Sequence, residues 1–403
     1  MYLTLHNDNG SRSRYRIDRE AFADDALKNR IGYIHSSSKE QTALEIFKAY
    51  FSNAKAILLD SSNQILLEKL KALNVGEFSN PHQGRNPFED EDFLMMFFTS
   101  GSTGMPVGAL KTRENLEAEV KSLTTLLEPY RINKIVVTVP FIHIYGMLLG
   151  LLYPLINGID VVLKEHFLPQ DLLNEIDEYT LVVTTPLYIK ALTKLEQSKS
   201  LNRSLFVSST APLDEAITGL FIDRYRTHLI QLFGSTETGG IAYKIDLDTL
   251  WRPLHKVKTA VNDKNELLVS SPFVSRILYE EGFQYLNGAF ETFDYVEMEE
   301  GGFRVLGRSS KILKIAGKRY STIQIETVLE EMAEISKAVV FVVSDSKSIR
   351  GESLDITLES NRKFTAREIK KIIQDSFSNL KFSINLTLVD KITTTELGKK
   401  IIP

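Results

Sequence analysis

The sequence predicts an α/β fold. It has a large N-terminal domain of mostly parallel, buried sheets with a β-rich subdomain, followed by a small α+β C-terminal domain. Three observations carry this expectation. From Phe93 to Ile241, nearly continuous apolar runs alternate with segments of helical periodicity, the pattern of strands covered on both faces. After Ile241 the runs become short and alternating, as in a β-rich subdomain over about 242–307. Beyond Gly307-Arg308 helices and strands mix in a last segment, so the domains are expected at 1–307 and 308–403. A chain of 403 residues exceeds one average core, which fits this division.

The first ~90 residues read as helices around one strand. Glu40 to Phe51 and Asn63 to Leu73 have helical periodicity, and Ala54 to Leu59 is the apolar strand between them. Phe93 to Phe98 is a strand that feeds a glycine-rich loop, which opens toward a helix beginning at Arg113. Strands are then expected at Lys134–Val139, Ile159–Leu163, Thr180–Thr184, Ser204–Ser208 and His228–Phe233. Helices lie between them at Tyr145–Ile156, Gln170–Glu178, Leu187–Gln197 and Leu213–Tyr225. The β-rich part holds Val257–Val261, Glu266–Ser270 and Phe290–Glu297. The last domain holds helices Thr322–Met332 and Ala366–Phe377, with strands Ala338–Val343 and Leu354–Leu358.

Composition narrows the function. A net charge of −4 offers no basic stripe for nucleic acid. The absence of cysteine excludes a disulfide framework, a thiolate zinc site and a cysteine nucleophile, and it suits a reducing compartment. Met1 to Asp8 lacks the basic flank and apolar core of a signal peptide, and Tyr145 to Ile156 is too short to span a bilayer. A cytoplasmic protein without a membrane span is therefore expected.

In a parallel sheet, ligands collect beyond the carboxyl ends of the strands. The loops after Phe98, Val139, Val207 and Phe233 are where chemistry is expected. The first of these, Thr99-Ser100-Gly101-Ser102-Thr103-Gly104-Met105-Pro106, combines glycines that let backbone N–H groups face an anion with hydroxyls that add donors. Taken alone, it reads as readily as an ordinary turn. It does not fit the P-loop pattern, because no lysine follows Gly104.

This loop resembles the phosphate loop of the adenylate-forming (AMP-binding) superfamily, which includes acyl- and aryl-CoA synthetases, adenylation domains and luciferases. An ordered set of motifs from Phe93 to Lys399 carries the resemblance over most of the chain. Pro140-Phe141-Ile142-His143-Ile144-Tyr145-Gly146 is similar to the Pro-x-x-His-x-x-Gly segment, whose histidine borders the acyl pocket; Ser208 and Gly239 are assigned to the same pocket. On its own, His143 reads as a structural histidine at a helix start. Val207 to Leu213 resembles the Gly-Gly-Ala-Pro-Leu loop, which implies that Thr210, Ala211 and Pro212 lie against adenine. Phe233-Gly234-Ser235-Thr236-Glu237 resembles Tyr-Gly-x-Thr-Glu. The resemblance implies that Phe233 and Gly234 meet adenine, Thr236 meets the α-phosphate or carboxylate, and Glu237 holds Mg²⁺.

Further along, Asp294 falls where the family's Thr-Gly-Asp binds the ribose hydroxyls, and Gly307-Arg308 matches a Gly-Arg whose arginine lies near ribose and α-phosphate. Lys311 falls near the hinge on which the small domain rotates. Lys314 and Gly317 belong to a stretch like the Ile-Lys-x-x-Gly loop of the pantetheine tunnel. Without the resemblance, Lys311 to Arg319 reads as a solvated basic hairpin. Gly398-Lys399 resembles the C-terminal Gly-Lys, whose lysine bridges carboxylate and α-phosphate; neighbouring Lys400 reads as solubilising.

The resemblance implies an acid–thiol ligase. ATP and Mg²⁺ activate a small carboxylic acid as acyl-adenylate, and a phosphopantetheine thiol, of CoA or of an acyl carrier protein, takes the acyl group. No aspartate stands where amino-acid-activating domains pair the ammonium group, so an aryl or fatty acid is expected. Several departures stand out. Val107 replaces a lysine, Ser209 and Thr210 replace glycines, Phe293 replaces a glycine, and the segment before the loop is short for the family. They leave a non-catalytic nucleotide- or acyl-binding relative, acting as regulator or scaffold, as the alternative.

Overall fold

The structure, a computed structural model, describes residues 1–7, 10–60, 62–80, 84–98, 106–196, 199–308, 312–315, 318–344, 352–376, 383–394 and 400. Thr99, Ser100, Gly101, Ser102, Thr103 and Gly104 of the glycine-rich loop, with Lys311, Gly317 and Lys399, lie outside the described residues. Two compact units emerge, one formed by Met1–Thr259 with Val269–Phe290, the other by Ala260–Leu268 with Glu291–Pro403.

The first unit holds two large sheets. In the nine-stranded sheet, Tyr2–His6, Asp160–Leu163, Lys134–Val137, Thr180–Thr184, Leu205–Ser208 and His228–Ser235 are parallel neighbours in that order. Their sequences are β-branched and apolar because helices cover them. Phe206 and Val182, for example, are fully buried in one cluster with Phe221 and Leu192 of the flanking helices. Antiparallel strands close both edges, Arg12–Arg16 at one and Gly239–Ile245 followed by Arg252–Pro253 at the other. The seven-stranded sheet places Gly76–Glu77, Ile31–Ile34, Lys55–Leu58 and Met95–Phe98 in parallel, then Gly108–Lys111, Ile277–Tyr279 and Phe283–Tyr285 antiparallel.

Three expectations need correction. The residues before 90 carry five strands, not one. The N-terminal hairpin was missed because Arg12, Arg14 and Arg16 face solvent on an edge, while only Leu3 and Leu5 reach the core. The glycine-rich loop does not open directly on a helix. It is followed by the strand Gly108–Lys111, which pairs with Met95–Phe98, and only then by the helix Arg113–Leu127. That helix starts on a capping box in which Thr112 and Asn115 bond each other's backbone N–H. The helix expected over Tyr145–Ile156 is continuous from Ile144 to Asn157, but Leu148–Leu152 winds as a π-helix.

Lys258–Val261, Glu266–Ser270, Phe290–Glu299 and Gly302–Arg308, most of whose residues belong to the second unit, form a four-stranded sheet whose last two strands are antiparallel. Ile312–Ile315 and Lys318–Ser321 pair as the basic hairpin the sequence suggested. The last part packs the helices Thr322–Glu330 and Ala366–Ser376 on a three-stranded sheet around Ile325, Val340, Ile356 and Ile369. Its third strand, Ser383–Val389, was not foreseen. No helix among the described residues is long and apolar enough to cross a membrane.

Candidate functional site

In the first unit, the sequence-selected residues gather at the carboxyl ends of the parallel strands. Tyr145 ties two of those strands together, and Thr138 joins a third. The Tyr145 hydroxyl lies 2.9 Å from the Thr184 carbonyl and 2.7 Å from that of Val207, while Thr138 bonds Thr184 at 3.0 Å. Burial pushes the Tyr145 pKa up, so the group stays a donor at any physiological pH. His143 is the half-buried N-cap residue of the helix that begins at Ile144, and it makes no side-chain cap bond. The spacing from Pro140 to Gly146 has a steric reason. A Cβ on Gly146 would stand 2.2 Å from the Pro140 carbonyl oxygen. Gly146→Ala is expected to destabilise the chain by about 1–3 kcal/mol, the usual penalty for overpacking against a fixed neighbour, visible as a lower urea midpoint.

Ser208 ends its strand fully buried. Ser209 donates to the Leu232 carbonyl at 2.8 Å, which joins this loop to the neighbouring strand. Thr210 has φ +82°, a conformation that favours glycine, and Ala211 and Pro212 after it are exposed. Ser208 Oγ and Thr210 Oγ1 are both buried without a hydrogen-bond partner among the described residues. The family's glycine therefore survives here as a backbone conformation carried by a threonine.

The next strand ends in a tight turn. Ser235 faces Gly239 across the hairpin, so Thr236 and Glu237 sit at its tip, both half-buried. Buried Thr238 accepts from the Ser235 N–H at 3.1 Å and donates to the Gly239 carbonyl at 2.8 Å, locking the turn from within. Gly234 is close-packed, since a Cβ there would lie 2.3 Å from the Gly239 carbonyl oxygen. Phe233 packs against Trp251, ring centres 5.3 Å apart.

Beneath the turn lie two charged residues that the sequence reading passed over. Lys111, fully buried, donates to the carbonyls of Glu237 at 3.0 Å and Phe273 at 2.7 Å. Glu119, also buried, accepts the Gly240 N–H at 2.6 Å and packs against the Cα of Gly239, where a Cβ would meet its carboxylate at 2.4 Å. Burial lowers the Lys111 pKa and raises that of Glu119, and the attraction between the two charges opposes both shifts. The Glu237 carbonyl also accepts the Ser275 N–H at 2.8 Å.

In the second unit, Asp294 is buried and pairs in register with Arg308 across two antiparallel strands. Its backbone N–H bonds Thr292, whose hydroxyl donates to the Leu267 carbonyl. Phe293 next to it is exposed, with φ +59°, so it too holds a glycine-like conformation where the family has glycine. Relief of that conformation, about 1–2 kcal/mol, outweighs the added freedom of the unfolded chain, about 0.4–1 kcal/mol. Phe293→Gly is therefore expected to stabilise the chain by roughly 0.5–1 kcal/mol, read as a higher urea midpoint. Lys314 lies in the basic hairpin, opposite Arg319.

Lys400 is not a solubilising residue. Its ammonium bonds Glu326 at 3.0 Å, Glu330 at 2.5 Å and the Ala338 carbonyl at 2.6 Å. The two glutamates lie on the helix Thr322–Glu330, and each also accepts a backbone N–H from the strand Ile335–Ser344. The residue that follows Lys399 is thus stapled to the core of its own unit. No group of histidine and acidic residues able to hold a metal by themselves occurs among the described residues.

Known proteins share the sequence pattern and the fold of this chain. Mitochondrial malonate–CoA ligase of Homo sapiens is 24% identical over 367 residues, which cover 76% of this chain and 64% of that protein. The 2-succinylbenzoate–CoA ligase of Listeria innocua is 25% identical over 319 residues, 75% of this chain and 68% of that one. The chain thus spans about two thirds of the length of these curated relatives. Among solved structures, ATP-bound MatB from Rhodopseudomonas palustris shares the fold at a TM-score of 0.79 and 14% identity, covering 98% of this chain and 93% of that one. O-succinylbenzoate Coenzyme A synthetase (MenE) from Bacillus subtilis in complex with AMP does so at 0.78 and 17%, over 95% and 90%. The model of the family described as AMP-binding enzyme matches residues 28–272, more than half of the sequence. The chain belongs to the AMP-binding enzyme family.

Proposed function

We propose that this chain is an ATP-dependent acid–thiol ligase. A carboxylic acid is joined to AMP with release of pyrophosphate, and the acyl group then passes to the thiol of CoA. The observation that carries this reading is the Ser235–Thr238 turn. It presents Thr236 and Glu237 just beyond the carboxyl end of a parallel strand, where α/β sheets bind ligands. The names of the relatives, malonate–, oxalate– and 2-succinylbenzoate–CoA ligase, support a non-amino-acid substrate and CoA as acceptor.

In this reading the substrate carboxylate attacks the α-phosphorus of ATP, and the bond to pyrophosphate breaks. The thiolate then attacks the acyl carbon, and AMP leaves. Phe233 stacks on adenine, Asp294 accepts the ribose hydroxyls, Arg308 and Thr236 meet the α-phosphate, and His143, Ser208 and Gly239 border the acyl group. Thr99 to Gly104 hold the β- and γ-phosphates. Glu237, a hard oxygen donor on a locked turn, would hold Mg²⁺, which would supply charge neutralisation beside the substrate phosphates. Residues 308–403 act as a lid that brings Lys399 to the reacting oxygens and later presents Lys311, Lys314 and Gly317 to the thiol. A second reading, a non-catalytic ligand-binding relative, draws on Val107 and on Phe293 in its glycine-like conformation.

The test incubates the chain with ATP, Mg²⁺, CoA and separate pools of dicarboxylic, aryl and fatty acids, with thioesters detected by mass spectrometry. One pool is expected to yield AMP, pyrophosphate and an acyl-CoA. Adenylate without thioester would move the acceptor to an acyl carrier protein. ATP binding without adenylate in any pool would favour the non-catalytic reading.

A further inference from the structure

We infer that Lys111 is a positioning residue, a tethered ammonium that holds the Glu237 peptide in the orientation needed to receive Mg·ATP. The inference rests on the proposed role of the Thr236–Glu237 turn.

Lys111 is fully buried at the end of the strand Gly108–Lys111, where an uncharged side chain would avoid a large desolvation cost. Its contacts identify what offsets that cost. The carbonyls it binds, Glu237 and Phe273, lie 126 and 162 residues away and belong to different segments. The capping residue Asn115 binds the adjacent Pro272 carbonyl at 2.7 Å, so the start of the helix Arg113–Leu127 is anchored to the same segment.

Glu119, on the same helix, completes the clamp. It takes the Gly240 N–H while Lys111 takes the Glu237 carbonyl, so the turn is gripped on a donor and an acceptor on either side of Thr238. With the Glu237 carbonyl committed inward to Lys111 and Ser275, the backbone from which its carboxylate springs is fixed before any ligand arrives. Lys111 acts through that backbone and does not itself reach the ligand. Being buried and engaged with main-chain carbonyls, it does not replace the lysine lost at Val107.

The test uses the full chain with Lys111→Met, Lys111→Arg and Lys111→Ala, each first shown to unfold cooperatively. Hydrogen exchange at Thr238, Gly240 and Ser275 reads the turn without any ligand. Acid-dependent pyrophosphate release reads KM for Mg·ATP apart from kcat. In Lys111→Met, these amides are expected to exchange faster than the rest of their sheet. KM for Mg·ATP is expected to rise about tenfold or more, the scale of one lost charge-assisted hydrogen bond, with a smaller change in kcat. Ammonium or methylammonium salts are expected to restore protection and KM in Lys111→Ala, whereas sodium and tetramethylammonium salts are not. Lys111→Arg should recover part of both.

Unchanged exchange at the three amides in folded Lys111→Met would overturn the clamp. A KM within about twofold of the parent, with the amides loosened, would overturn its link to Mg·ATP. If the parent chain neither binds nor turns over Mg·ATP, the reading of the turn fails, and the exchange data still decide whether Lys111 orders it.

Discussion

Lys399→Ala is expected to slow acid-dependent pyrophosphate release by roughly 10²–10³-fold, about 3–4 kcal/mol, the scale of losing one transition-state donor. The reason is electrostatic. A carboxylate that attacks a phosphate must overcome repulsion between two anions, and negative charge grows further as pyrophosphate leaves. In the proposed reading, the Lys399 ammonium neutralises that charge as it builds. ATP binding should in that reading change far less, because the residues assigned to its phosphates and ribose are untouched. Steady-state pyrophosphate release and nucleotide titration of the same variant check both halves. An unchanged rate would remove Lys399 from the mechanism.

Lys400→Met is expected to act differently, by lowering stability. Removing the ammonium leaves the carboxylate of Glu326, a residue only 7% exposed, and that of Glu330 without their counter-ion. Each keeps one backbone N–H, which limits the loss. A cost of roughly 1–3 kcal/mol follows, measurable as a lower urea midpoint. Because Lys400 anchors the chain immediately after Lys399, the same variant should also slow adenylation while Lys399 is intact. Lys400→Arg should recover most of both. Adenylation at the parent rate in a folded Lys400→Met protein would show that the staple serves stability alone.

The contrast between these neighbouring lysines shows what the sequence made legible. Lys399 stands out because it follows Gly398 in a pattern shared by a family. Lys400 looked solvated because its partner Glu326 lies 74 residues earlier. Lys111 was opaque for the same reason: the carbonyls that justify burying it belong to residues 126 and 162 positions away. Local pattern sees hydrophobic periodicity, not the partner that makes a buried charge tolerable.

The fold divided along similar lines. Thr180–Thr184 and Leu205–Ser208 were readable because both faces are covered and every residue is buried. Arg12–Arg16 was not, since it is an exposed edge strand with little apolar content. Ser383–Val389 was passed over although it alternates apolar and polar residues, because only Ile384 and Leu386 of this edge strand pack, partly buried, on the core. Gly108–Lys111 was too short to separate from the loop before it. The departures at Thr210 and Phe293 were visible as residues. Only the structure shows that both residues adopt a positive φ, the conformation that favours glycine.

The most direct test of the central claim is exchange of radiolabelled pyrophosphate into ATP by the full chain, with Mg²⁺ and a panel of carboxylic acids, in the absence of any thiol. Reversible adenylation predicts exchange that requires one class of acid and Mg²⁺, and that is lost in Lys399→Ala. Saturable ATP binding with no exchange for any acid would contradict it and leave a nucleotide-binding protein that does not form adenylates.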